Sequence, residues 1–218
     1  RPFGHKMDAT TRDEILKHAQ YVFAEVGFKE ATVRQISKKA KTNVCLISYY
    51  FGGKEGLYKA VFERMMSERV NAIQKHLGGN LNIETKEQFK NTLQEFLEAM
   101  FSNQISDITA FHLINREMME GLPRVEEVIQ QYIGKSRDTF VQFIEMGQRK
   151  KFVKKSLDPF LSAMSAIGLI MSFVSHLCLS EKSEFFFPNH SKKELPDKMI
   201  KTITAIYIDG VIQHETTK

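Results

Sequence analysis

Ser48-Tyr49-Tyr50-Phe51-Gly52-Gly53-Lys54-Glu55-Gly56-Leu57-Tyr58 closes the stretch that decides the fold of this chain. Read backward from it, residues 10–58 carry three short helical patterns. Asn43 is a good cap for the last, Val44 to Phe51, which the Gly52-Gly53 pair ends. The middle one opens at Thr32, where Gln35 answers three residues on in a capping box. Its inward positions are Val33, Ile36 and Ala40, while Arg34, Lys38 and Lys39 point elsewhere. The first is expected to open at Thr11, with Glu14 at the same T-x-x-E spacing, and to stop at Gly27. Ile15, Ala19, Val22, Phe23 and Val26 form its apolar stripe. Two helices of about two turns, parted by roughly three residues, carry the signature of a helix-turn-helix.

Charge points the same way. Residues 1–60 hold eleven Lys/Arg against six Asp/Glu, and the rest of the chain holds twenty against twenty, so the net +5 lies wholly in the first quarter. A basic module on a neutral body is the electrostatic footprint of a protein that neutralises DNA phosphates. A charged face that is merely solvated is the bland alternative, and the helix pattern argues against it.

Thr32-Val33-Arg34-Gln35-Ile36-Ser37, Ala40 and Tyr50-Phe51-Gly52-Gly53-Lys54-Glu55-Gly56-Leu57 resemble the N-terminal DNA-binding domain of the TetR/AcrR family of bacterial transcription regulators. The resemblance covers roughly residues 10–62. It implies that Val44, Cys45, Ser48 and Tyr49 face the major groove and that Tyr50 and Lys54 touch phosphates. Arg34 is implied to reach a phosphate or a guanine edge. The expected DNA surface is therefore Thr32, Arg34, Asn43, Val44, Cys45, Ser48, Tyr49, Tyr50 and Lys54. The chemistry suits the roles: arginine pairs bidentately with guanine, and Val44 is apolar enough to meet a thymine methyl. Phe51 reads as a core aromatic. Cys45 reads as a small residue beside a base rather than a redox switch. Lys41, Thr42 and Asn43 stand where the family often has Gly-Val-Ser, Cys45 where it often has glycine, and Ile47-Ser48 where it often has Leu-Tyr. Sequence preference therefore does not carry over from a relative.

The body reads as helical throughout. A long fourth helix, about 54–76, carries Leu57, Val61, Met65 and Ile73 at helical spacing and breaks at Gly78-Gly79-Asn80. Further patterns run over roughly 86–102, 107–120, 124–151, 158–180 and 196–213. The expected fold is all-α with about nine helices. The division expected is 7–55 as the helix-turn-helix DNA-binding domain and 56–218 as a helical effector-binding and dimerisation domain. Arg1 to Lys6 precede Met7 and carry no part of this reading. The start is short and polar, without a signal-peptide pattern. Two distant cysteines, Cys45 and Cys178, form no metal spacing and fit a reducing cytoplasm.

Phe160 to Leu179 is twenty residues without Lys, Arg, Asp or Glu, long enough to cross a bilayer. Its four serines and His176 favour instead the buried centre of a soluble protein, with no membrane partner. Ser165, Gly168, Ser172 and Ser175 fall on one stripe that lets helices approach closely. With Ile203, Tyr207 and Gly210 of the last helix they form the expected homodimer interface, and the family resemblance implies a four-helix bundle there. A two-fold dimer reading two half-sites of a palindromic double-stranded DNA operator fits one short reading helix per subunit.

The middle helices, rich in phenylalanine and methionine, are where a small apolar effector is expected. Candidate lining residues are Phe96, Met100, Phe111, Asn115, Met118, Met119 and Phe143, although such a stripe is also what plain core looks like. His112 and Arg116 are weaker polar candidates. The Phe185-Phe186-Phe187-Pro188 run is expected to tuck against an interface or a pocket mouth. No phosphate loop, metal cluster or nucleophile turn occurs, which argues against an enzyme, a cofactor or a metal. The reading is a dimeric, ligand-responsive transcriptional regulator, most simply a repressor. Its alternative is a helical regulatory partner that acts through protein contacts without reading DNA.

Overall fold

The computed structural model describes residues 3–77, 82–178, 187–188, 190–191 and 193–213. Among them are nine helices: α1 Phe3–Glu30, α2 Val33–Lys39, α3 Val44–Phe51, α4 Lys54–Leu77, α5 Lys86–Ser106, α6 Ile108–Met119, α7 Glu126–Arg149, α8 Pro159–Cys178 and α9 Leu195–Val211. No strand occurs among the described residues, and one isolated bridge pairs Val153 with Ile212. The all-α expectation holds. The Gly78-Gly79-Asn80 break, the side chain of Ile73 and the Phe185-Phe186 pair lie outside the described residues.

The first boundary differs from its reading. α1 already runs from Phe3, so Thr11 lies inside the helix and its spacing to Glu14 marks no start. Gly27 leaves the helix, at φ 81° and ψ 170°, yet a further turn follows to Glu30. Arg116 of α6 fills that break: its Nη1 donates to the Phe23 carbonyl at 3.2 Å. A Cβ on Gly27 would meet the same nitrogen at 2.9 Å.

The chain divides into two compact units, one of residues up to Glu68 with Asp107–Tyr132, the other of Arg69–Ser106 with Ile133 onward. In the first, Ile15, Leu16, Ala19 and Phe23 of α1 share a core with Ile36 of α2, Ile47 of α3, and Leu57, Val61 and Phe62 of α4. Leu113 and Ile114 of α6 and Val125 complete it. Each fully buried side chain of this size contributes about 1.5–3 kcal/mol. Phe23 meets Tyr58 edge-on at 4.7 Å. Glycine at position 56 is a steric necessity, because a Cβ there would sit 1.8 Å from the Phe51 carbonyl oxygen.

The second unit packs α5, α8 and α9 with the later part of α7. Phe89 stacks on Phe143 at 4.4 Å, and Phe96 meets Phe140 at 4.6 Å. α8 buries Ser162, Ala163, Ala166, Ile170 and Val174. It does not form a wholly buried centre: only 28% of its most apolar window is buried, and Leu161, Met164, Ser165, Gly168, Ser172 and Ser175 are exposed. Length and hydropathy alone would let it span a membrane; its inner face is instead used for packing within this unit.

Tyr207 of α9 is 4% exposed and donates to the Ser162 carbonyl at 2.9 Å, while the Ser162 hydroxyl lies 3.1 Å from the phenol oxygen. Burial pushes the phenol up to about 12, against a smaller opposing pull from the Ser162 hydrogen bond. The unfolded phenol ionises near 10, so this residue's contribution is whole below pH 10 and is lost as pH rises towards 12. The loss approaches about 2–3 kcal/mol. Urea melts at pH 9 and pH 11.5 are expected to record it, and Tyr207→Phe is expected to shrink the difference. Tyr58, also raised by burial, keeps part of the alkaline loss.

Candidate nucleic-acid interface

Local chemistry fixes both short helices. The Thr32 hydroxyl oxygen accepts the Gln35 amide at 3.2 Å, and Gln35 Oε1 accepts the Thr32 amide at 2.8 Å, closing the capping box. Asn43 Oδ1 accepts the Cys45 amide at 2.9 Å, and Gly52, at φ 71°, ends α3 in the left-handed region. Between them Lys41 turns the chain at φ 50°.

α3 is eight residues long and two-sided. Ile47 is fully buried and Phe51 is 9% exposed, so these two anchor it. Val44, Cys45, Ser48 and Tyr49 fall at i, i+1, i+4 and i+5, one stripe, and all four are exposed. Tyr49 is 79% exposed, a large aromatic with almost nothing covering it. Tyr50 is half-buried, edge-on to Tyr49 at 5.1 Å. Thr32, Arg34 and Asn43 are exposed too.

Lys54 is engaged within the protomer. Its ammonium donates to the Lys29 carbonyl at 3.0 Å and lies 4.6 Å from the Phe28 ring centroid. Lys39 pairs with Glu25 at 3.0 Å above the Tyr21 ring, whereas Lys38 and Lys41 are exposed beside the turn. Arg12 of α1 lies 5.4 Å from the Phe51 centroid, at the far end of α3. The sequence reading gave no contact role to Arg12, Lys41 or Phe28. Phe28 carried a usable signal, an aromatic that immediately follows the glycine at which α1 breaks.

Residues 15–61 match the family model described as "Bacterial regulatory proteins, tetR family". The "Probable HTH-type transcriptional regulator YttP" of Bacillus subtilis is 29% identical over 178 residues, 80% of this chain and 83% of that protein. Residues 15–61 are a TetR-family DNA-binding domain. The "HTH-type transcriptional repressor NicS" of Pseudomonas putida is 32% identical over 64% of each chain. A TetR-family transcription regulator from Marinobacter aquaeolei matches the fold at a TM-score of 0.73 and 16% identity, over 96% of this chain and 100% of that one. The protein is thus a transcription regulator with a TetR-type DNA-binding domain, and its relatives are regulators rather than enzymes.

The candidate effector residues of the regulator are divided between the two units. Phe96, Met100 and Phe143 are buried in the second unit, while Phe111, Asn115, Met118 and Met119 belong to the first. Asn115 donates to the Phe111 carbonyl at 3.0 Å, and Met118 and Met119 are 51% and 90% exposed. Of the weaker candidates, His112 is exposed and Arg116 is committed to the α1 break. The first unit does contain a cleft of about 510 Å³, but Lys17, His18, Gln20, Tyr21, Arg64, Glu68, Asp107 and Thr109 line it and none of the apolar candidates does. Of the interface candidates, Ser165, Gly168, Ser172, Ser175 and Gly210 are exposed. Ile203 and Tyr207 are not available to a partner, because both are buried in their own unit.

Thr32→Ala is expected to lower stability by about 1 kcal/mol in urea melts, since it removes the N-cap of α2. Tyr49→Ala is expected to leave the melting temperature unchanged within a degree or two, because its side chain packs against so little.

Proposed function

We propose that this regulator is a homodimeric repressor that grips a palindromic operator and lets go when a small apolar molecule binds. The observation that carries the DNA reading is the exposed stripe of α3: a large uncovered aromatic, two small residues and an apolar contact for a thymine methyl, held on a buried two-residue anchor. Arg34, Tyr50 and Lys54 flank the stripe as phosphate or guanine contacts, with Thr32 and Asn43 capping the two helices. The net positive charge of residues 1–60 supplies the sequence-independent attraction. The name of the Pseudomonas putida relative favours repression. Residues 7–55 would read the operator. Residues 56–218 would take the effector and the second copy, although 56–68 and 107–132 pack in the first unit.

The dimer reading is supported by the outer face of α8. Leu161, Ser165, Gly168, Ser172 and Ser175 recur at spacings of three and four and are all exposed. On α9, Ile206 is 58% exposed and Gly210 is exposed beside it. Small residues at such spacing let a partner helix approach closely. Effector and operator affinities would then be reciprocally linked, since a ligand favouring one separation of the two reading heads disfavours the other.

Selection from a random duplex pool tests the DNA reading. Wild type is expected to enrich a two-fold symmetric motif that the double variant Arg34→Ala/Tyr49→Ala does not. Folded protein that enriches nothing at low salt refutes it and favours action through protein contacts. For the dimer, a Cβ at Gly168 meets nothing within 4 Å in the protomer. Gly168→Glu is therefore expected to fold normally, to sediment as a monomer and to lose operator affinity. A wild type that sediments as a monomer contradicts the dimer.

A further inference from the structure

Behind the operator face lies a buried carboxylate that the DNA reading leaves unused. Glu117, near the end of α6, is 1% exposed. Its Oε1 accepts the Tyr58 hydroxyl at 2.7 Å and Arg124 Nη1 at 2.8 Å, while its Oε2 is buried without a hydrogen-bond partner among the described residues. Arg124 also donates to Glu120 at 3.0 Å. The Arg124 guanidinium lies 4.6 Å from the centroid of Phe28, and the Lys54 ammonium lies 4.6 Å from the same centroid. One aromatic ring thus serves two cations.

Two like charges gathered on one ring repel each other, and ring attraction alone is modest. Glu117 and Glu120 offset the Arg124 charge and make the arrangement tenable. A buried carboxylate with one unsatisfied oxygen is a poor source of stability, since apolar groups of the same volume often do as well or better. Its geometric effect is more specific: it holds Arg124 on Phe28, and Phe28 beneath Lys54.

We infer that Glu117 is a positioning residue for operator binding, which through Arg124 and Phe28 holds the Lys54 ammonium ready for a DNA phosphate. The inference rests on the reading of Lys54 as a phosphate contact. The Lys29 carbonyl occupies one of the three ammonium N–H groups, and two remain for phosphate. A lysine ordered before DNA arrives avoids the entropy of ordering it on binding, which corresponds to about two- to tenfold in affinity. Removing the Glu117 charge has an opposite, long-range effect, because it makes the surface more attractive to DNA. The two effects separate in a double-mutant cycle, since only the first needs Lys54.

The test uses full-length protein and the duplex enriched by wild type, with affinity read by fluorescence anisotropy at fixed salt for wild type, Glu117→Gln, Lys54→Met and the double variant. Glu117→Gln is expected to weaken binding about two- to tenfold when Lys54 is present and not to weaken it when Lys54 is methionine. Equal loss in both backgrounds, no loss, or tighter binding in the Lys54 background overturns the inference. If Glu117→Gln does not fold, Phe28→Leu takes its place in the same cycle, with the same expected coupling. A Lys54→Met variant that binds like wild type removes the phosphate contact and the inference with it. Wild type that binds no duplex refutes the operator reading itself.

Discussion

An eight-residue helix is not stable alone in water, because too few hydrogen bonds repay the ordering of its first turn. The exposed stripe of α3 therefore depends on one act of burial, that of Ile47 and Phe51 against the core built by α1 and α4. Everything around α3 serves that packing. Asn43 and Gly52 set its length, Gly56 lets α4 begin hard against the Phe51 carbonyl, and Phe23 with Leu57 and Phe62 supplies the apolar floor. Once the two anchors are down, the exposed residues have no freedom to choose a face. Their orientation follows from helical geometry alone.

The features legible in the sequence were those written within three or four residues. The Thr32–Gln35 box, the Asn43 cap and the Gly52-Gly53 stop are local chemistry, and each appears where its spacing implies. The identical spacing of Thr11 and Glu14 misled, because a T-x-x-E pattern is silent about whether the chain before it is already helical. Lys54 was legible as a cation at the start of a helix. Its engagement with Phe28 and Lys29 was not, since those residues lie some twenty-five positions earlier.

The second unit was legible in its helices and not in their faces. α9 carries Ile203 and Ile206 three residues apart; the first is fully buried and the second is 58% exposed. Both are equally apolar, so sequence alone gives no reason to prefer either as the inward one. The same ambiguity attaches to α8, where apolar residues surround the helix and packing decides which become core. Met118 and Met119 show the converse. Thioethers in a phenylalanine-rich stretch suggest a lining, yet these two face outward at the end of α6.

Residues 107–132 are chemically part of the reading head although the chain visits the other unit before it makes them. Leu113, Ile114, Val125, Val128 and Ile129 belong to the same apolar cluster as Ile15 and Phe23. A fragment cut after residue 60 would therefore expose the floor on which α1 and α4 rest. Regulators with helix-turn-helix heads are attractive parts for building chimeras, in which one head is grafted onto a foreign sensor. In this chain such a graft cannot be made at a single seam: α4, α6 and the start of α7 must travel together, so the unit of inheritance is larger than the unit of recognition.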